Sequence, residues 1–275
     1  MHSARALMRR GAPGAAPVRH AQGARAAPYP ERLPSSLSSP HQRPGGTVTG
    51  FGERGGASRV GARWSLIVPV KHLGLAKTRL ARAAGDHRED LALAIACDTV
   101  AAARSCTAVG AVFAVTDDPR ARAALSGLGA VVVGGEPGGG LNPALEHGAR
   151  AALGRLPGFG VCALSADLPA LRPAELARVL TAASAHGRSF LPDSPGVGTT
   201  LLAATPGQRL DPAFEGASRA RHLAAGAREL VLPGVESVRR DVDTPEDLTA
   251  AMALGVGPRT RELLGRVPVC ARSAP

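Results

Sequence analysis

The chain has 275 residues, enough for one α/β domain with a large core, and carries a formal net charge of +11. A charge that large suggests a nucleic-acid binder, but its placement argues against one. Residues 1–63 hold ten arginines and two glutamates, a net of +8, so the remaining residues carry only +3.

That first segment is rich in Pro, Gly, Ala and Ser and has neither a helical nor a strand period. It cannot bury enough apolar surface to offset its chain entropy, so residues 1–63 are read as a disordered basic extension. The aromatic residues that would stack on bases are not interleaved with its arginines, which weighs against nucleic acid as a partner. Arg9-Arg10 is followed by no apolar run and does not read as a targeting signal. No stretch approaches the roughly 20 apolar residues of a membrane span, so no membrane partner is expected. Cys97, Cys106, Cys162 and Cys270 form no Cys-x-x-Cys pair. They are read as reduced thiols of a cytoplasmic protein.

From Trp64 the pattern becomes regular. "WSLIVPV" is a β-branched apolar run and predicts a buried strand. Residues 88–105 have helical spacing, with Arg88, Glu89 and Asp90 opening the first turn. A strand over 108–116, a helix ending at glycine, and a strand over 130–134 follow. After the loop "GGEPGGGLN", which fits a flexible turn as well as a phosphate cradle, Pro143 starts a helix over 143–156. A strand over 160–166 and a helix over 172–187 complete four alternations.

Such alternation predicts a single domain over residues 64–265, with residues 266–275 as a C-terminal tail. Its sheet should be mixed but mostly parallel, with helices on both faces and right-handed crossovers. Ligands bind such sheets at the carboxyl ends of the strands, so the loops after residues 70, 116, 134 and 166 should share one rim. Beyond 187 the pattern changes. "RSFLPD", "VGTTLLAAT" and "VESVRRDVD" read as strands, with a short helix near 218–226 and a last helix capped by Thr244. These strands should extend the sheet.

Three features fall on the rim. The first is the basic loop after the opening strand, with Lys71, Lys77 and Arg79 beside Gly74 and without Walker spacing. The second is Asp167, just past a buried strand, where an acid also suits a helix cap. The third is Asp241 and Asp243, which alternate along a strand end and so share a face. Three carboxylates on one rim repel unless a cation lies between them, and Mg²⁺ with substrate phosphates answers that need. Basic loop, carboxylates and parallel sheet together point to nucleotidyl transfer.

The stretches "VPVKHLGLAKTRL", "SADLPAL", "GVGTTLL", "SRARH" and "RRDVDTPEDL" resemble, in order, the guanylyltransferases of coenzyme F420 biosynthesis. The resemblance spans about residues 64–265. It implies a nucleotide-diphospho-sugar transferase-like, Rossmann-like fold and GMP transfer from GTP to phosphoenolpyruvate or 2-phospho-L-lactate. The Ala/Arg/Gly/Pro-rich composition suggests a high-GC bacterial genome, which favours phosphoenolpyruvate.

The resemblance also implies roles for residues. Asp167, Asp241 and Asp243 would hold Mg²⁺, while Lys71, Lys77 and Arg79 would act on the GTP phosphates as catalytic cations. Asn142 would meet the nucleoside. Thr199, Ser218 and the turn at Glu215–Gly216 would take the phosphorylated three-carbon acid, although Thr199 also suits a strand and Ser218 a helix cap. The chain departs from the family in "FEGASRARH", where the family places glycine directly after phenylalanine. Either Glu215 or Gly216 therefore takes that place. No histidine is assigned a role. The resemblance admits a homodimer. The rival readings are a cytidylyl- or molybdopterin-type nucleotidyltransferase and a nucleic-acid binder that uses the basic tail.

Overall fold

The computed structural model describes residues 64–80 and 84–266. The basic extension, the tail beyond Arg266 and Cys270 lie outside the described residues. Strand β1 (Trp64–Pro69) lies at the centre of the sheet because its side chains are apolar on both faces. It runs parallel to β2 (Val109–Val115) on one side and to β4 (Gly160–Leu164) on the other. With β3 (Val131–Val133), β5 (Arg188–Pro192), β6 (Thr199–Ala204) and β7 (Arg228–Glu229), the seven strands take the order β3-β2-β1-β4-β6-β5-β7. Among the described residues, only β6 runs antiparallel to its neighbours, β4 and β5. Its turn from β5 is closed by Asp193, whose carboxylate accepts from the backbone N–H groups of Val197 (2.9 Å) and Gly198 (2.8 Å).

The strand period of two sends alternate residues to opposite layers. Leu66 and Val68 face one way, with helices α1 (Arg88–Ser105), α2 (Pro119–Gly127) and α4 (Pro173–Ala183). Ile67 faces the other way and packs with Phe113, Val115 and Leu145 of α3 (Leu141–Arg155). Within α3, Gly148 has no room for a side chain, since a Cβ there would lie 2.4 Å from Ile67 Cγ2. The helix therefore rests directly on the centre of the sheet. Helices on both faces leave the loops at the strand ends as the open surface.

Three expectations need correction. Helix α3 begins at Leu141, not at 143. Gly138, Gly139 and Gly140 all have φ between 61° and 99°, and this left-handed run turns the chain early enough for Pro143 to sit inside the first turn. Proline is tolerated there because the first-turn N–H groups have no intrahelical partner.

The segment "VESVRRDVD" is not a strand. It forms the short helix α6 (Glu236–Arg239) and then an irregular stretch. Its apolar residues Val235, Val238 and Val242 recur at intervals of three and four, a helical period, and all three are buried. Glu175 of α4 accepts from the Ser237 N–H at 2.9 Å and so ties α6 to the helix layer.

Helix α8 (Pro258–Arg266), which follows α7 (Pro245–Leu254), and the edge strand β7 are not expected from the sequence pattern. The start of α8 is capped by Asp98 of α1, which accepts from Thr260 N–H at 2.8 Å and Arg259 N–H at 3.2 Å. By contrast, Thr244 caps α7 as expected, in a reciprocal pair with Asp247.

Candidate active site

The loop after β1 combines buried anchors with exposed charge. Leu73 and Leu80 are buried, and between and around them Lys71 and Arg79 are exposed. Two side chains from outside the loop hold it. Asp118 accepts from the Leu73 N–H at 3.0 Å while also capping α2. Arg88, at the start of α1, donates to the carbonyls of Leu73 (3.2 Å), Gly74 (3.0 Å) and Ala76. In the sequence Arg88 is only a residue that opens a helix, because its three carbonyl partners carry no signature of their own. Arg88→Met should raise amide hydrogen exchange at Leu73, Leu75 and Ala76 by about tenfold or more, since charged hydrogen bonds are worth about 1.5–3 kcal/mol. Unchanged exchange at those three amides would show that the loop holds itself.

Across from the loop, Asp167 leaves the end of β4. The Val242 N–H donates to the Asp167 carbonyl at 3.1 Å and pins the 241–243 segment against that strand end. Val242 is buried beneath, and the carboxylates of Asp241 and Asp243 line the cleft beside Asp167. One oxygen from each of the three lies within 4.8 Å of the others. The three acids thus meet as expected, though a backbone bond and not a strand face brings them together. Asp167 does not cap the next helix, whose N-cap position is Arg172.

Lys77 reaches into this cluster. Its Nζ donates to Asp167 and, at 2.8 Å, to Asp243. The lysine backbone is left-handed (φ 52°), a conformation costing about 1 kcal/mol or more in a residue with a Cβ, so the ion pairs hold it there. Burial alone would push its ammonium pKa down, but the charges of Asp167 and Asp243 outweigh this and the net shift is upward. The same lysine, against an opposing burial effect, holds the Asp243 carboxyl below the usual range. Among the described residues, Asp241 has no such ion-pair partner. Burial first, then the charges of Asp167 and Asp243, push it up to about 7. Lys77 pairs with two of the three carboxylates, Arg79 and Lys71 act on Asp243 from farther off, and an all-oxygen carboxylate set suits a hard divalent cation.

The far wall of the cleft is built by residues 213–218. The Phe214 N–H donates to Asn142 Oδ1 at 2.8 Å, and the amide of Asn142 donates back to the Phe214 carbonyl at 3.3 Å. Arg221 donates to the carbonyls of Ala213 (3.1 Å) and Phe214 (3.0 Å). Glu215 (φ 81°) and Gly216 (φ 50°) follow, both left-handed. The conformation at 215 is one that glycine adopts freely, so the glutamate stands on a backbone suited to glycine. Both residues line the cleft, as do Thr199 at the start of β6 and Ser218 at the start of α5 (Ser218–Ala224). Ser218 does not cap that helix.

The cleft measures about 480 Å³ and opens at the carboxyl ends of β1 and β4. Lys71, Lys77, Arg79, Asp167, Asp241 and Asp243 line it, together with Thr199, Glu215, Gly216 and Ser218. Asn142 does not; its side chain is spent on Phe214, and neighbouring Leu141 lines the wall instead. The loops after 116 and 134 also stand back from the cleft. The first supports the basic loop through Asp118, and the second is held by Asp117, which accepts from Gly135 N–H (2.8 Å) and Glu136 N–H (2.9 Å).

Residues 64–272, which contain every residue of this cleft, match the family model described as "Guanylyl transferase CofC like". The chain belongs to the CofC-like guanylyl transferase family. A phosphoenolpyruvate guanylyltransferase of Thermomonospora curvata is 62% identical over 205 residues, covering 74% of this chain and 90% of that protein. Another, from Streptomyces coelicolor, is 60% identical over 206 residues, covering 74% and 97%. Among solved structures, a nucleotide-diphospho-sugar transferase candidate from Desulfovibrio desulfuricans G20 superposes with a TM-score of 0.57 at 19% identity. That likeness covers 74% of this CofC-like chain and 94% of the other, and it identifies the fold as of the nucleotide-diphospho-sugar transferase type.

Among the described residues, no helix is long and apolar enough to cross a membrane. Cys97, Cys106 and Cys162 are free and buried, and burial pushes their thiols up, away from reactive thiolate.

Proposed function

We propose that this CofC-like protein transfers GMP from GTP to phosphoenolpyruvate, forming enolpyruvyl-diphospho-guanosine and pyrophosphate, within coenzyme F420 biosynthesis. The observation that carries the reading is one cleft with three clustered carboxylates and the basic loop at one end and a polar, positive-φ turn at the other. The named relatives, similar over nearly their whole length, support the acceptor.

A phosphate oxygen of the acceptor attacks the α-phosphorus of GTP. A new P–O bond forms, the α–β bridge breaks, and its electron pair leaves with pyrophosphate. The acceptor phosphate is already anionic at neutral pH and needs no general base. The work of the protein is therefore to gather negative charge and align it. Lys71 and Arg79 offer positive charge to the triphosphate, and Lys77 offers it between the triphosphate and the acids. Asp167, Asp241 and Asp243 would hold Mg²⁺, which supplies charge neutralisation to both phosphates when bound. Thr199, Ser218 and the backbone at 215–216 would receive the three-carbon acid. Asn142 acts on that wall from behind by fixing Phe214.

The test is a matrix of substrates. Purified protein with Mg²⁺ would be given each of the four common nucleoside triphosphates with phosphoenolpyruvate or 2-phospho-L-lactate, and pyrophosphate release would be measured. GTP should be strongly preferred, because a site that pairs the guanine edge leaves polar groups unpaired with adenine. Phosphoenolpyruvate should exceed 2-phospho-L-lactate, whose tetrahedral carbon sets the carboxylate at a different angle to the phosphate. Release with CTP but not GTP overturns the reading.

A further inference from the structure

His222 of α5 is buried, lies outside the cleft lining and has no part in the transfer as written above. Its two ring nitrogens nevertheless connect the two sides of the far wall. The backbone N–H of Ala213 points at Nε2 from 3.0 Å, and Thr199 Oγ1 lies 3.0 Å from Nδ1. A backbone N–H can only donate, so Nε2 must accept and carries no proton. A neutral ring then holds its proton on Nδ1 and donates it to Thr199 Oγ1. With that oxygen accepting, the threonine's own hydroxyl proton is directed elsewhere, and Thr199 lines the cleft.

We propose that His222 is a positioning residue that makes Thr199 a hydrogen-bond donor to an anionic oxygen of the acceptor. This rests on Thr199 lying at the acceptor end, as proposed above. The surroundings keep the ring neutral. Burial first, then the positive charges of Arg188 and Arg221, push its pKa down to about 4. Phe214 packs edge-on against the ring, with centroids 5.1 Å apart, and Phe190 lies tilted at 5.6 Å, so the imidazole has little freedom to turn over. An imidazole fixed in one tautomer sets the direction of the next hydrogen bond in the chain. The consequence is selectivity for an acceptor that presents a bare anionic oxygen there. An acceptor offering a hydroxyl donor at that point would be favoured less.

The two halves of the ring can be separated by substitution. His222→Asn keeps a donor near Nδ1, and His222→Gln keeps an acceptor near Nε2. With GTP and phosphoenolpyruvate as substrates, Thr199→Val should raise the KM for phosphoenolpyruvate about tenfold, the loss of one charge-assisted bond, with the KM for GTP within about twofold. His222→Gln should do the same, while His222→Asn should keep the KM closer to wild type. The His222→Gln/Thr199→Val double variant should be no worse than Thr199→Val alone, because both remove one interaction. Multiplying effects in the double variant, or an equal rise in the KM for GTP, overturn the proposal.

A long-range proton–nitrogen NMR spectrum of the wild-type imidazole gives a readout independent of turnover. A proton on Nδ1 supports the proposal, and a proton on Nε2 overturns it whatever the kinetics. Wild-type turnover with the wrong tautomer therefore sinks this proposal alone. Absence of turnover with GTP and phosphoenolpyruvate sinks the functional reading and, with it, the acceptor role assigned to Thr199.

Discussion

Asp241→Asn is expected to lower turnover by about a hundredfold or more while leaving the melting temperature unchanged or slightly higher. The two effects diverge because Asp241 is the acid of the cluster that Lys77 does not pair with. In the metal-free protein burial and the charges of Asp167, Asp243 and Asp193 disfavour its ionised form and outweigh one backbone hydrogen bond that favours it, so a neutral isostere relieves strain. In the working enzyme the same charge would help to hold the cation. Asp167→Asn should lose activity by a similar factor but also lose some stability, since it gives up the Lys77 ion pair. Turnover by pyrophosphate release and melting with and without Mg²⁺ measure both. Near-normal activity of either variant in Mg²⁺ would remove these acids from the metal assignment.

Lys77→Met should behave in the opposite way. It leaves three carboxylates without the ammonium that faces two of them, and breaking such a pair inside a protein costs several kcal/mol. Asp243 is about half exposed, with a side-chain accessibility of 55%, so solvent screening reduces the loss. A net loss of about 2 kcal/mol would lower the melting temperature by roughly 4–8 °C in chelator for a domain of this size. Added Mg²⁺ should restore most of that stability, because a divalent cation supplies the missing charge. Turnover should stay at least about tenfold low even at saturating Mg²⁺, since the lysine's charge toward the triphosphate is not replaced. A variant that melts higher than wild type in chelator would mean that the cost of burying the ammonium, and not its ion pairs, dominates the local energetics.

These two variants test the site from opposite signs of charge. Removing Asp241 should cost function while sparing the metal-free fold. Removing the base should cost the metal-free fold, with recovery on metal addition. A cleft that served only as a structural salt-bridge cluster would show neither the recovery nor the loss of turnover.

Much of this was legible in the order of residues. Apolar strands at 64–69, 109–115 and 160–164 alternate with helices at 88–105 and 173–183, and the parallel centre of the sheet follows from that alternation. Asp167 and the basic loop each follow a buried strand, and such ends form the ligand rim in this architecture. Capping of α7 was legible because Thr244, Pro245 and Asp247 act within one turn.

What the sequence could not supply depends on partners distant along the chain. Asp98 caps a helix that begins 160 residues later, and Arg88 binds three loop carbonyls that have no side-chain identity. Asp241 and Asp243 reach Asp167 through one backbone bond from Val242, not through a shared strand face. His222 and Asn142 read as isolated polar residues until the fold sets one beside Thr199 and Ala213 and the other beside Phe214. Local periodicity is written into the chain because a helix or strand is decided by near neighbours. The direction of a hydrogen bond is decided by whichever donor the tertiary fold brings within reach.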